Sequence, residues 1–293
     1  MPASFFICTA MMQCGRFQLD LSRPLVMGIL NVTPDSFSDG GRFRALDDAL
    51  AQAERLMRDG ADLLDIGGES TRPNAAYVSP QEEMDRVLPV LERLQGAPVP
   101  LSLDTRRSEV MRAGLTLGVD LINDVSALED DGALALMRDS RAGICLMHKQ
   151  GNPDSMQQRP HYQDVVAEVG DYLRRRVALC LDAGIARERL LADPGFGFGK
   201  TLEHNLALLA ALPAVAERAG VPLLVGLSRK SMLGAITGEA VAEQRLGASV
   251  AAALEAARRG AAIIRVHDVK ETRQALQVLA ALQQSSLEQD SQK

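Results

Sequence analysis

The segment LDDALAQAERLMRDGADLLDIG (46–67) contains the repeating unit that decides the fold. Its first part, 46–60, places apolar side chains at helical spacing and ends in Gly60, a residue type that commonly terminates helices. The run ADLLDIG (61–67) follows at once, and its hydrophobicity is continuous rather than alternating, as expected of a parallel strand covered on both faces. The segment therefore predicts a helix followed by a buried parallel strand.

The same unit recurs along the chain. We count eight aliphatic runs: PLVMGIL (24–30), ADLLDIG (61–67), VPLSLD (99–104), VDLINDV (119–125), AGICLMH (142–148), RLLADPG (189–195), PLLVGLS (222–228) and AAIIRVHD (261–268). Amphipathic segments separate these runs and predict helices over 46–60, 81–96, 164–184, 203–220 and 244–260. Eight β/α units in about 250 residues favour a single (β/α)₈ TIM barrel, of class α/β, over a doubly wound sheet.

Composition limits the function classes. The chain has 293 residues, 46% of them apolar, and a net charge of −6, so it lacks the basic balance typical of nucleic-acid binding. The N-terminal apolar run has its first arginine only at Arg16 and is too short to span a membrane, which predicts a cytoplasmic protein. We expect a flexible N-terminal extension over 1–17, a barrel over 18–283 and a frayed tail over 284–293.

The cysteine pattern gives no indication of a disulfide framework or a zinc site. No C-x-x-C pair occurs, and two of the cysteines lie in the predicted N-terminal extension; the four are Cys8, Cys14, Cys145 and Cys180. We expect reduced thiols.

Polar residues stand at the end of every aliphatic run. They are Asn31; Asp65; Asp104, Thr105 and Arg106; Asn123 and Asp124; Met147 with His148; Asp193; Ser228, Arg229 and Lys230; and Arg265, His267 and Asp268. Any one of them could cap the following helix. Eight such ends on one rim, followed by long polar loops over 31–44, 67–80 and 148–163, predict an active site at the carboxyl ends of the strands.

Charge type narrows the ligand. Arg265 and His267 are two apart on the last run and so point to the same side, where they could bind an anion; the alternative is that Arg265 pairs with a nearby carboxylate. Asp104 and Asp193 need partners in an apolar barrel, and a flat nitrogen heterocycle would supply N–H donors. An internal salt bridge between Asp193 and Lys230 is the alternative there.

The loop GFGFGKT (195–201) resembles a phosphate-binding P-loop but does not match it. That pattern needs glycine at 194, where Pro194 stands, so the loop is one residue short and we exclude nucleotide hydrolysis. Phe196 and Phe198 are candidate stacking faces for a ligand.

Each strand end carries a distinctive motif. In order, the motifs are VMGILNVTPDSFSDGG (26–41), DIGGESTRP (65–73), LDTRRSEV (103–110), INDVSAL (122–128), CLMHKQGNP (145–153), DPGFGFGK (193–200), VGLSRKSMLG (225–234) and IIRVHDVKET (263–272). Together they resemble the dihydropteroate synthases, and the resemblance runs from about residue 18 to about residue 283.

The resemblance implies a transferase of folate biosynthesis. Such enzymes condense 6-hydroxymethyl-7,8-dihydropterin diphosphate with p-aminobenzoate, giving 7,8-dihydropteroate and diphosphate, with Mg²⁺ as cofactor. It also implies a homodimer and inhibition by sulfonamides. The small-molecule substrates are then the expected partners, with neither nucleic acid nor membrane.

The resemblance also assigns site residues. The catalytic set it implies is Asp104, Asn31, Lys230, Arg265 and His267, with Asn31 also a ligand of Mg²⁺. Around them it implies substrate contacts from Thr71, Arg72, Pro73, Asn123, Met147, Asp193, Phe198, Gly226 and Ser228. Asp104, Asn123, Asp193 and Lys230 would hold the pterin, and Asn31, Arg265 and His267 the diphosphate. Thr71, Arg72, Pro73, Phe198 and Ser228 would frame the aminobenzoate, and the loops around Thr33-Pro34-Asp35 and Thr71-Arg72-Pro73 would close over the substrates.

The residue inventory suits this chemistry, because diphosphate is a good leaving group and a neutral aniline needs no activation. We expect dissociative C–O cleavage, with Asp104 stabilising a cation-like pterin. One alternative is a pterin-binding methyltransferase barrel, which the joint presence of Ser228-Arg229-Lys230 and Arg265-Val266-His267 disfavours. The other is an inactive barrel that binds pterin or a second protein, which the intact motifs at 31–40 and 68–73 disfavour.

Overall fold

The computed structural model describes residues 11–32, 41–69, 77–151 and 160–290. Ten strands are assigned within these ranges: β1 Met11–Cys14, β2 Phe17–Asp20, β3 Leu25–Asn31, β4 Leu63–Gly67, β5 Leu101–Asp104, β6 Leu121–Asp124, β7 Gly143–Met147, β8 Leu190–Asp193, β9 Leu224–Gly226 and β10 Ile263–Val266. The ten α-helices there are α1 Gly41–Arg58, α2 Pro80–Arg93, α3 Ser108–Thr116, α4 Ala133–Arg138, α5 Val165–Asp182, α6 Leu202–Ala210, α7 Leu212–Ala219, α8 Ser231–Thr237, α9 Leu246–Arg258 and α10 Val269–Asp290.

Strands β3 to β10 form one parallel sheet in the order β8-β7-β6-β5-β4-β3-β10-β9. The two outer strands of that order meet through a parallel bridge between Ala192 and Leu223, supported by the hydrogen bond from Ala192 N to Pro222 O (3.0 Å). Helices lie between successive strands, so the fold is the predicted (β/α)₈ barrel. All eight predicted runs are confirmed as strands.

The register of the sheet aligns the functional ends of the strands. Asn31 pairs with Gly67, Gly67 with Asp104, and Asp104 with Asn123, so these residues form one rung at the carboxyl end of the barrel. The strands below this rung are almost entirely apolar and buried, and helices such as α2 cover them through Val87 and Leu91. The apolar core therefore supports a rigid rim of polar side chains.

The amino end of the barrel is closed by a hairpin that the sequence did not predict. Strands β1 and β2 pair antiparallel, and Met12 and Cys14 are buried against barrel residues that include Leu63 and Leu121. The predicted flexible extension over 1–17 is therefore wrong for residues 11–17, because their alternate side chains fill the bottom of the barrel; residues 1–10 lie outside the described ranges. Cys14, Cys145 and Cys180 are buried free thiols.

Two helical predictions also need correction. The single helix expected over 203–220 is two helices, α6 and α7, because Pro213 lies in the first turn of α7 and has no N–H to continue the preceding helix. The tail expected to fray from residue 284 is helical to Asp290. Among the described helices, each is either too short or too polar to cross a membrane.

Candidate active site

An arginine at the end of β10 joins two carboxylates across the barrel mouth. Arg265 Nε donates to Asp65 Oδ2 (2.5 Å), and Arg265 Nη2 donates to Asp104 Oδ2 (2.8 Å). The partners stand on β4 and β5, so this contact links the last strand of the chain to the early ones. Of the two interpretations of Arg265, the geometry favours pairing with carboxylates. The guanidinium has five N–H donors, and these bonds use two of them.

Asp65 is the centre of this network. Its side chain is fully buried, and it accepts hydrogen bonds from Ser102 Oγ (2.5 Å), Asn123 Nδ2 (3.1 Å) and Arg265 Nε. Asp65 therefore fixes the amide of Asn123 and the plane of the Arg265 guanidinium. The sequence analysis listed Asp65 among the polar strand ends but gave it no catalytic or substrate-binding role, although a carboxylate inside the aliphatic run ADLLDIG was a usable signal.

Asp104 is held in an environment that disfavours its charge. Burial raises the pKa of its carboxyl to about 7; Arg265 opposes the shift and Asp65 adds to it. The pKa of Arg265 is raised, because the attraction of Asp65 and Asp104 outweighs the effect of burial. The side chain of Asp104 is still 13% exposed, so a ligand in the mouth can reach it. An anionic Asp104 is thus poised to gain from any positive charge placed beside it.

The second cation, Lys230, lies beside the glycine-rich loop after β8. Its Nζ donates to the carbonyl of Phe196 and stands 4.3 Å from the ring centroid of Phe198. Burial lowers the pKa of Lys230 to about 8, while Asp193 opposes the shift. Burial raises the pKa of Asp193, whose Oδ1 accepts from Gly195 N (2.8 Å).

The structure separates the two phenylalanines of this loop. Phe196 is completely buried in the core, so its proposal as a stacking face is wrong. Phe198 is half-buried beside Lys230, and it keeps that proposed role. The sequence left open a salt bridge between Asp193 and Lys230. In the structure, Lys230 donates its hydrogen bond to a backbone carbonyl, and Asp193 acts on Lys230 through its charge.

His267 is oriented by Ser228. Ser228 Oγ accepts from the backbone N of His267 (3.2 Å) and lies 3.0 Å from His267 Nδ1. With the hydroxyl hydrogen directed to Nδ1, the proton of a neutral ring stands on Nε2. The neighbouring Arg229, in the left-handed region at φ 60°, pairs with Asp268 (2.5 Å) and turns the chain so that Lys230 follows.

The remaining predicted residues fall into two groups. Asn31 is half-buried at the end of β3, Met147 is buried at the end of β7, and Gly226 ends β9 beside Arg265. Thr71, Arg72 and Pro73, together with the loop around Thr33-Pro34-Asp35, lie outside the described residues. The structure thus brings together the residues that were predicted to hold the pterin and the diphosphate. Of the residues predicted to frame the aminobenzoate, it describes only Phe198 and Ser228.

The described residues fit a magnesium ion that is bound mainly by its substrate. They hold no cluster of three or more His, Cys, Asp or Glu suited to a metal. Mg²⁺ commonly takes one or two protein ligands together with substrate phosphates and water. The side-chain oxygen of Asn31 is a hard ligand at the rim, and the side chain makes no hydrogen bond to another described residue.

Fold and site together define a class: a (β/α)₈-barrel enzyme with buried carboxylates and cations around one mouth. A family model described as "Pterin binding enzyme" matches residues 27–267. A Neisseria meningitidis serogroup B protein named dihydropteroate synthase is 57% identical over 275 residues, which cover 92% of this chain and 96% of that protein. An Escherichia coli K12 protein of the same name is 53% identical over 264 residues, which cover 90% of this chain and 93% of that protein. The chain belongs to the dihydropteroate synthase family and is a transferase of folate biosynthesis.

Solved structures agree with this assignment. The chain is similar to Xanthomonas albilineans dihydropteroate synthase with 4-aminobenzoic acid, with a TM-score of 0.88 and 52% identity, covering 94% of this chain and 98% of that one. It is also similar to Burkholderia cenocepacia dihydropteroate synthase complexed with 7,8-dihydropteroate, with a TM-score of 0.87, 51% identity and coverage of 95% and 98%. These comparisons confirm the predicted dihydropteroate synthase family and disfavour the methyltransferase alternative.

Proposed function

We propose that the chain condenses 6-hydroxymethyl-7,8-dihydropterin diphosphate with p-aminobenzoate at this mouth, releasing diphosphate. The observation that carries the proposal is the placement of Arg265, which contacts the carboxylates of Asp65 and Asp104 on one side. Its three other N–H donors make no hydrogen bond to a described residue and are available to an anion. One arginine thus stands between the two groups that the reaction separates.

The pterin would occupy the carboxylate side. Asp104 and Asp193 offer acceptors for ring N–H and amino groups, and the side-chain oxygen of Asn123, whose amide nitrogen donates to Asp65, would add a third acceptor. Both carboxyls have raised pKa values because of burial. A ligand that supplies N–H donors lowers those pKa values and so binds with its hydrogen bonds strengthened by charge. Lys230 would contact the same ring system from the loop after β8.

The diphosphate would face Arg265 and the Nε2–H of His267, with Asn31 at the edge of the same rim. Bound Mg²⁺, held by Asn31, would supply further positive charge to the diphosphate oxygens. As the C–O bond breaks, its electron pair leaves with the diphosphate oxygen, and the charge of Arg265 stabilises that oxygen. The carbon left behind is cation-like, and the anionic Asp104 stabilises it.

Aminobenzoate would then attack from the side of Phe198 and Ser228, with Thr71, Arg72 and Pro73 completing the subsite. The aniline lone pair forms the C–N bond, and the proton that nitrogen loses passes to water. No residue has to act as a strong general acid, because the departing diphosphate is a stable anion. This order of events separates bond cleavage from amine attack and can be tested on each half alone.

The deciding experiment mixes purified protein with the dihydropterin diphosphate, p-aminobenzoate and Mg²⁺ and measures 7,8-dihydropteroate. Formation of dihydropteroate supports the proposal; binding of the pterin without product supports the inactive-barrel alternative. The homodimer and sulfonamide inhibition remain predictions of the family resemblance, and the cytoplasmic location remains a prediction from the N-terminal sequence. A Yersinia pestis dihydropteroate synthase, 49% identical to this chain, has been solved as a sulfonamide drug complex.

A further inference from the structure

A buried lysine lies beneath the glycine-rich loop and takes no part in the proposed chemistry. Lys200 is only 3% exposed, yet its ammonium makes three hydrogen bonds, to His148 Nδ1 (2.9 Å), Gly195 O (2.9 Å) and Phe198 O (3.1 Å). All three N–H donors are therefore satisfied by neutral acceptors. Burial lowers the pKa of Lys200 to about 7, while the charge of Asp193 opposes the shift. A buried amine that has no carboxylate as a hydrogen-bond acceptor is costly, so its presence calls for a reason other than packing.

The histidine acceptor, His148, directly follows β7 and is adapted to this lysine. Burial and the charge of Lys200 lower the pKa of His148, so its ring is neutral. With the Lys200 ammonium as the donor, Nδ1 is the acceptor and the ring proton is on Nε2. The ring packs edge-on against Tyr172, with centroids 5.0 Å apart, and also contacts Tyr162. Tyr162 in turn donates from its hydroxyl to Gly199 O (2.9 Å). Lys200 and Tyr162 therefore hold the loop from below.

The loop has no room to adjust by itself. At Gly195, φ is +68° and an added Cβ would lie 1.8 Å from His148 O. The loop therefore packs directly against the backbone of His148, immediately after β7. Its two backbone carbonyls bound by Lys200 bracket the segment from Gly195 to Phe198. That segment presents the ring of Phe198 and the carbonyl of Phe196 that accepts from Lys230.

We infer that Lys200 is a positioning residue for the condensation: by binding the carbonyls of Gly195 and Phe198, it holds the ring of Phe198 where that ring frames the aminobenzoate. The inference rests on the proposed function, because it uses the assignment of Phe198 to the aminobenzoate subsite. Lys200 touches neither substrate in this scheme. Lys200 acts through the two carbonyls that it binds, and the side chain that contacts the aminobenzoate in this scheme is Phe198.

Lys200→Met tests the inference, since it keeps an unbranched apolar side chain that is only one atom shorter and removes the three donors. The matched control is Arg189→Met. Arg189 is also buried, at 8% exposure, and also makes three hydrogen bonds, to Ala142 O, Met137 O and Ser140 Oγ. It lies at the amino end of β8, at the opposite face from the loop. Both variants remove a buried basic side chain. A difference between them in substrate constants therefore cannot be explained by loss of stability alone.

The expected result is a split between substrates. Lys200→Met raises the KM for p-aminobenzoate by about tenfold or more, while the Kd for dihydropterin diphosphate, measured by calorimetry without the amine, changes by less than about threefold. Arg189→Met lowers the unfolding midpoint and leaves both constants near wild type. Equal aminobenzoate KM values in the two variants, or an equal change in both substrate constants of Lys200→Met, would overturn the inference.

Lys200→Gln covers the case in which the methionine variant does not fold, because its amide retains two N–H donors. If both variants fold, a KM for aminobenzoate in Lys200→Gln that lies between the wild-type and Lys200→Met values supports the positioning role. If Lys200→Met does not fold, the role is supported when Lys200→Gln raises the KM for aminobenzoate and leaves the Kd for the pterin substrate unchanged. A wild-type KM for aminobenzoate in Lys200→Gln overturns the inference. Dihydropteroate formation by the wild type and by Arg189→Met is measured in parallel. If neither makes product, the proposed function fails; if both do, the outcome concerns Lys200 alone.

Discussion

Replacing Asp104 by Asn isolates the charge that we assign to the transition state. Asn has nearly the same shape and can still accept from Arg265 Nη2, which lies 2.8 Å from the carboxylate. Opposite unit charges about 4 Å apart attract by about 4 kcal/mol at an effective dielectric constant of about 20. Because about 1.4 kcal/mol corresponds to tenfold in rate, kcat should fall by about 10³-fold, and by about 10² where water screens the partly exposed site.

The assay compares kcat with the Kd for dihydropterin diphosphate, which should change far less than kcat because the cation is absent from the ground state. Asp124→Asn is the matched control. It also removes a buried strand-end carboxylate, but one that accepts from the backbone N–H groups of Ser126 (2.7 Å) and Leu128 (2.6 Å). That variant should lose stability and keep its kcat. An unchanged kcat in Asp104→Asn, or a loss confined to pterin affinity, would refute the reasoning.

Three further predictions concern the same network. Arg265→Lys cannot bridge Asp65 and Asp104 with a planar fork and loses about one charge-assisted hydrogen bond, so kcat/KM should fall by about 10- to 100-fold; wild-type kinetics would contradict the bridging role. The pH profile of kcat/KM should rise as Asp104 ionises near pH 7 and fall as Lys230 loses its proton near pH 8, whereas a flat profile across both values argues against these charge states. The pKa of Asp104 is raised from 3.8 to about 7 in the fold, so its ionisation weakens the folded state as pH rises between those values. Thermal unfolding should therefore show Asp104→Asn gaining stability relative to wild type at pH 8 and not at pH 4, and an equal difference at both would exclude this linkage.

Much of the fold is encoded in local pattern. The continuous aliphatic runs and the glycine-terminated amphipathic segments each report a structure within about 15 residues, and all eight strands were predictable from them. The hairpin of β1 and β2 was not predictable in this way, because strands of four residues carry too little periodicity to distinguish them from a tail. Its burial depends on the open bottom of a barrel that forms only when all eight strands close.

The functional site was also predictable only where local sequence carried the information. Residue types at strand ends predicted that Asp104, Asn123 and Arg265 lie on one rim, and the structure brings them together there. Their partners could not be identified, because Arg265 and Asp65 are 200 residues apart and meet only across the closed barrel. Lys200 shows the same limit: the sequence excluded a P-loop and gave this lysine no role, whereas the structure places it against a histidine and two carbonyls.

Positional isotope exchange tests most directly whether the mouth separates a diphosphate anion from a pterin cation. Dihydropterin diphosphate carrying oxygen-18 in the bridging C–O–P position is incubated with the protein and Mg²⁺ in the absence of p-aminobenzoate. We predict that the label moves into the non-bridging positions at a rate comparable with kcat, and that Asp104→Asn slows this movement as much as it slows turnover. A label that stays in the bridge until the amine is added would show that cleavage requires the nucleophile, and the assignment of Asp104 to a cationic intermediate would be wrong.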